Sequence, residues 1–257
     1  MRLLLRVLGP LVALAVLVSG WWLAVRIFNI RPLLLPAPSE VLAAYARPGN
    51  VSYLLREAAV TIGQTMGGFA IAAVVGLTAA MAMTAFRVVR ESVMPLIAAA
   101  QAVPKVALAP LLIMWFGWGT GSKIALVVLL SFFPILVAAM AGLASTPADL
   151  GELPRSLSAS RWQAYRRFRL PWALPQIFVG LRLGAVFALI GAVVAQITTP
   201  NAGLGSVVVL SGQYGDTALA FAAIGLLAAT GIVLYYLINL IERLLLPWST
   251  PLTTPPS

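Results

Sequence analysis

Six stretches of this chain are each long and apolar enough to cross a bilayer, and nothing else in the sequence limits its fold so tightly. An α-helix rises about 1.5 Å per residue, so about 20 mostly apolar residues match the hydrocarbon core. The stretches lie near residues 10–28, 59–86, 92–116, 122–144, 176–198 and 217–241. They predict an all-α, polytopic membrane protein with six transmembrane helices. The first resembles a signal peptide in position only. Its run from Leu11 to Val25 is long for a cleaved leader and no clear small-x-small site follows, so it reads as a retained anchor.

Composition narrows the function. Of 257 residues 61% are apolar and 9% charged, against about a quarter charged in soluble domains. Cysteine and histidine are both absent. That removes a disulfide framework, thiolate metal ligands and the usual general base, so no metal site is expected and most enzyme classes fall away. The formal charge of +10 suits cytoplasmic loops of a membrane protein better than nucleic-acid binding.

Loop charge orients the chain. Arg2, Arg6, Arg87, Arg90, Arg155, Arg161, Arg166, Arg167, Arg169 and Arg243 fall on one side, and Arg26, Arg31, Arg47, Arg56 and Lys123 on the other. The positive-inside rule places both termini in the cytoplasm. On the outer side, Ser39 as a cap, Glu40 in the first turn and Pro48-Gly49 as a stop predict a short surface helix. Residues 1–248 read as one transmembrane domain without internal repeats, and the Pro- and Thr-rich tail 249–257 as a disordered cytoplasmic end. Gly63 with Gly67 and Gly180 with Gly184 have the spacing that lets helices approach closely, either within the subunit or between two subunits.

The stretch from Glu152 to Pro175 is polar in an apolar chain. Thr146-Pro147-Ala148-Asp149 is a helix start with a cap, a first-turn proline and an acid. Leu150, Leu153 and Leu157 then form one apolar face. Ser160-Arg161-Trp162-Gln163 fits a capping box, and Trp162, Tyr165 and Phe168 line a second helix whose arginines supply the polar side. Pro171 and Pro175 are read as closing the segment. Two short amphipathic helices of this kind suit either a lipid surface or a cytoplasmic partner.

Residues 146–175 resemble the cytoplasmic loop of binding-protein-dependent ABC importer permeases, with its pattern Glu-Ala-Ala-x3-Gly-x9-Ile-x-Leu-Pro. Glu152 fills the Glu position, Phe168 stands for the Ile, and Leu170-Pro171 closes the motif. Leu153-Pro154 replaces Ala-Ala, and Ser158 replaces the Gly. The segments 102–123, 131–143, 180–184, 201–210 and 241–248 also resemble that family, most of all its nitrate, sulfonate and taurine-type members, a group that includes importers of pyrimidine vitamin precursors.

The resemblance implies a type I importer permease taking up a small anionic or heterocyclic solute. Its partners would be cytoplasmic ABC ATPase subunits, a second permease subunit (a homodimer), an extracytoplasmic substrate-binding protein and the lipid of a bacterial cell membrane. The loop 146–175 would form the coupling helices, with Glu152, Arg155, Leu157, Ser158, Ala159, Trp162, Tyr165 and Phe168 facing the ATPase. ATP and Mg would be bound by that partner, since Gly117-Trp118-Gly119-Thr120-Gly121-Ser122-Lys123 lacks a P-loop ending. No cofactor is expected in this chain.

Within the spans, Lys105 is bracketed by Pro104 and Pro110. A charge at membrane depth is costly and commonly functional, and the prolines free backbone carbonyls. Lys105, Gln101, Gln196, Pro104 and Pro110 are therefore the translocation-pathway candidates, with snorkelling of Lys105 and interhelical bonding of the glutamines as the plainer readings. A secondary transporter or channel is the alternative function. Its ion coupling would want intramembrane carboxylates, and only Asp216, at a span edge, comes close.

Overall fold

The computed structural model describes residues 2–85, 87–145, 147 and 160–247, and these are helical with short connections. Ten α-helices follow in order: α1 Arg2–Ile27, α2 Pro38–Ala46, α3 Asn50–Ala85, α4 Arg87–Ala102, α5 Ala109–Phe116, α6 Thr120–Ala144, α7 Arg161–Ala164, α8 Leu170–Thr198, α9 Leu204–Gln213 and α10 Thr217–Leu245. A 3-10 turn, Lys105–Leu108, joins α4 to α5, and a wide π-helical turn, Tyr165–Arg169, joins α7 to α8.

The helices match the apolar windows, but the expected six spans are met only in part. Among the described residues four helices are long and apolar enough to cross a membrane: α3, α6, α8 with the turn before it, and α10. The α4–α5 pair makes a fifth if it counts as one span, and it is bent by 80° at the break. Pro104 precedes the break and Pro110 lies in the first turn of α5. A proline removes a helical N–H and disfavours helix in the residue before it, so the apolar run from 92 to 116 cannot continue as one rod. In α1 the apolar helix among these residues is Val12–Ile27, shorter than a crossing.

Helix α6 is the spine, packed between α3 and α8. Small residues make this possible. On α8, Gly180 and Gly184 lie where a methyl group would come within 2.6 Å of Ala138 and Ile135. Gly191 lies against the Val127 backbone, and Gly76 of α3 meets Ile135 from the other side. Backbones that approach this closely gain contact on both faces, which replaces the hydrophobic drive missing in lipid. Gly63 and Gly67, by contrast, have open space before them. Of the two glycine pairs, Gly180 and Gly184 pack within the subunit.

Two sequence expectations change in detail. The cap of α2 is Ala37 rather than Ser39. Glu40 reaches back to accept the Ala37 N–H at 2.8 Å, with Pro38 opening the helix. Pro38 needs no N–H in the first turn, so the start falls before it. The Tyr45 hydroxyl then docks α2 on α10 by donating to the Ala222 carbonyl at 2.6 Å, and burial pushes its pKa up. The second change is at Pro171 and Pro175, which do not close a helix. Pro171 opens α8 and Pro175 lies inside it. The π turn supplies the bond from Leu170 N–H to Tyr165 O that leads into the new register, so one helical path runs from Arg161 to Thr198.

Candidate functional site

The structure assembles polar groups in two places within the helices, and each contains one of the chain's two lysines. The first lies where α3, α6, α8 and α9 meet. Lys123, read from sequence as an exposed loop cation, sits in the first turn of α6 and is only 2% exposed. Its ammonium donates to Asn201 Oδ1 and to the Ala202 carbonyl at 3.1 Å. A buried charge without such partners would cost several kcal/mol. The correction leaves four exposed cations, rather than five, on that side of the orientation count.

The same short connection, residues 199–203, presents the N-terminus of α9. Three side chains accept its backbone N–H groups: Glu57 from Gly203 at 2.5 Å, Thr61 from Leu204 at 2.8 Å and Gln196 from Gly205 at 2.9 Å. These are the donors a helix leaves unpaired at its start, and the Glu57 carboxylate also suits the positive end of the helix dipole. Gln196 donates in turn to Gln64 at 2.9 Å. Gly203 has φ +103°, and a side chain there would run into the Gln196 carboxamide. Only glycine suits both demands. Gln196, a pathway candidate, is fully buried in this lattice and makes the interhelical bonds of its plainer reading.

Sequence reading passed over Glu57, Thr61, Gln64 and Asn201. Glu57 fell just outside the 59–86 window. The available signal was Asn201-Ala202-Gly203 followed by a short apolar helix, which asks for a cap from elsewhere in the chain. Asp216, the carboxylate noted at a span edge, caps α10 by accepting from Leu219 N–H at 3.2 Å and pairs with Arg47 at 2.6 Å. Arg182 pairs with Glu242 at 2.7 Å, tying α8 to the end of α10.

The second place is the 80° break between α4 and α5. Lys105 is partly exposed there. Its ammonium lies 4.9 Å from the centre of the Phe133 ring and 3.4 Å from the Gln101 carbonyl. Gln101, Pro104 and Pro110 are exposed around it. The structure thus brings four of the five pathway candidates together and places Gln196 in the other cluster.

Of the coupling candidates, Glu152, Arg155, Leu157, Ser158 and Ala159 lie outside the described residues. The Ser160 capping box is present in both directions. Ser160 N–H donates to Gln163 Oε1 at 2.9 Å, and Gln163 N–H to Ser160 Oγ at 3.2 Å. Trp162 belongs to α7. Tyr165 packs on the cluster formed by Ala80, Leu136, Met140 and Ala173. Phe168 is half-buried, whereas Arg166, Arg167 and Arg169 are exposed.

Residues 72–248 match the family described as "Binding-protein-dependent transport system inner membrane component". The chain belongs to this family. It is 34% identical to a riboflavin transport system permease protein of Chloroflexus aurantiacus, over 94% of this chain and 90% of the relative. It is 33% identical to a formylaminopyrimidine transport permease protein of Halalkalibacterium halodurans, over 94% and 96%. It is also 33% identical to the taurine transport system permease protein of Escherichia coli, over 91% and 87%. A crystal structure of an amino acid ABC transporter with histidines matches the fold with a TM-score of 0.62 at 18% identity, covering 75% of this chain and 94% of that one. The permease is therefore a multi-pass membrane subunit of a transport system rather than an enzyme, and its family works with ATPase and substrate-binding partners.

Proposed function

We propose that the permease is the membrane subunit of an ATP-driven importer in the bacterial inner membrane, with both termini cytoplasmic, taking up a small anionic or heterocyclic solute. An extracytoplasmic binding protein delivers the solute, and a separate ABC ATPase binds ATP and Mg. The observation that carries this reading is the family match over residues 72–248, and relatives named for riboflavin, formylaminopyrimidine and taurine support the solute class. The loop 146–175 couples the ATPase to the spans. The reciprocal cap at Ser160 and the packing of Tyr165 on the bundle support a stiff lever at residues 160–169, with the exposed arginines turned outward. A second permease subunit completes the pathway, and the open faces of Gly63 and Gly67 support such a contact.

Solute passes the α4–α5 break, where Lys105, Gln101, Pro104 and Pro110 line its course. Irregular backbone at membrane depth is tolerated where it faces protein or a water-filled cavity, and broken helices carry the sites of many transporters. The test is reconstitution. Vesicles holding the permease, its co-purifying ATPase and its binding protein take up the bound solute only with ATP. Uptake driven by an ion gradient without an ATPase would replace this reading with a secondary transporter.

A further inference from the structure

We propose that Lys105 and Phe133 form a switchable anion subsite, in which the Phe133 ring holds the Lys105 ammonium until a solute anion draws it away. The inference rests on the pathway reading of the α4–α5 break and adds to it a residue, a ligand class and a competition.

Lys105 begins the 3-10 turn at the break, and the side chain is only partly covered. An ammonium has three N–H donors. Here it makes one long hydrogen bond, 3.4 Å to the carbonyl of Gln101 on its own segment. Its other neighbour is the face of Phe133, on α6, 4.9 Å from the ring centre. No carboxylate forms an ion pair with it among the described residues. Lys123 shows the contrast, with its ammonium bonded to Asn201 and Ala202 and enclosed by protein.

A ring face attracts a cation through its quadrupole but accepts no strong hydrogen bond. A sulfonate, carboxylate or phosphate oxygen offers both charge and acceptors at shorter range, and hydrogen bonds between ionised partners are about twice as strong as neutral ones. The ring contact is therefore strong enough to keep the ammonium ordered and weak enough to yield. Phe133 is half-buried and braced edge-on by Phe132 at 5.2 Å, so it holds its place while the flexible lysine moves. Gln101, exposed four residues before Lys105, can offer its amide N–H to the same anion. Because holding and binding compete for one ammonium, Phe133 tunes anion affinity without touching the anion.

The chain's two lysines make a direct test possible. The permease, assembled with its ATPase, is placed in phosphatidylcholine nanodiscs and acylated with an N-hydroxysuccinimide ester. Mass spectrometry follows Lys105, with buried Lys123 as the internal unreactive control. Ethanesulfonate should protect Lys105, and uncharged ethylene glycol should not. In Phe133→Leu the protecting concentration should fall about two- to fivefold, the range that an exposed cation–π contact supports. In Phe133→Trp, a stronger ring, it should rise, and this variant serves alone if the leucine form does not fold. Protection unchanged along Leu, Phe and Trp would overturn the competition while leaving the anion reading of the break intact. Absence of ethanesulfonate protection in every form would overturn both. Phosphatidylglycerol added to the nanodisc should leave Lys105 reactivity unchanged. Protection by that lipid alone would assign the ammonium to a headgroup and sink the solute subsite.

Discussion

Lys123 and Lys105 both lie among apolar helices, yet the protein holds their ammonium groups in opposite ways. Lys123 is enclosed by α6, α8 and the connection before α9, and it is anchored to Asn201 and the Ala202 carbonyl. Around it, Glu57, Thr61 and Gln196 cap the start of α9, so charge and helix end satisfy each other. Lys105 stands at a bent joint with one ring and one distant carbonyl. The first arrangement uses a charge to fix four helices together. The second leaves a charge available. A lysine among apolar helices is thus not one kind of feature: the number of acceptors around it separates an anchored ammonium from an available one.

The comparison breaks first if Lys123 is dispensable. Lys123→Met keeps the stem but removes the donor, leaving Asn201, the Ala202 carbonyl and the nearby Glu57 without their cation. Two hydrogen bonds to a charged group are lost, each contributing about 1.5–3 kcal/mol. Thermal unfolding of the purified complex should show the largest loss of stability in the set. A melting temperature equal to wild type would mean the polar cluster carries no stability.

Gly203→Ala is expected next. It forces a side chain into a backbone region that only glycine adopts freely, at about 1–3 kcal/mol, and pushes on Gln196. The measurement is again thermal unfolding, with loss of protection from hydrogen exchange beginning in α9. A loss spread evenly over all helices would argue against a local cap.

Arg182→Ala should cost a similar amount, about 1–3 kcal/mol, because its pair with Glu242 is a charge-assisted bond with both side chains mostly covered. Arg47→Ala should cost under about 1 kcal/mol, since half of that side chain is exposed. Equal losses in the two variants would show that burial does not set the strength of these pairs.

How far the sequence foretold these sites depends on how local their causes are. The apolar windows became helices because length and composition are read along the chain. The Ser160–Gln163 cap appeared as expected because its partners are three residues apart. Lys123 was misread because its acceptor Asn201 is 78 residues away, and Glu57 was missed because its partner Gly203 is 146 residues away. The bend at Lys105 was half legible. Pro104 and Pro110 read as freeing backbone carbonyls within one span from 92 to 116, but nothing local fixed a bend of 80° or brought Phe133 over the ammonium. Continuity through Pro171 was hidden for the opposite reason: a single wide turn absorbed a residue that ordinarily ends a helix.

The smallest stability effect should belong to Lys105, and there the comparison becomes sharpest. Lys105→Met removes one ring contact and one long hydrogen bond at a partly exposed position, so unfolding should shift by less than about 1 kcal/mol. Transport should respond far more. A charge-assisted bond to an anion contributes about 1.5–3 kcal/mol, so ATP-driven uptake of an anionic solute should show KM raised roughly tenfold or more by that amount. Lys105→Arg keeps a cation and several donors and should recover part of the uptake, whereas Lys105→Ala should not. If both the arginine and alanine forms transport like wild type, Lys105 has no role in the pathway and its exposure is only snorkelling. If stability and uptake fall together in Lys105→Met, the residue is a structural cation like Lys123 and the distinction between the two sites fails.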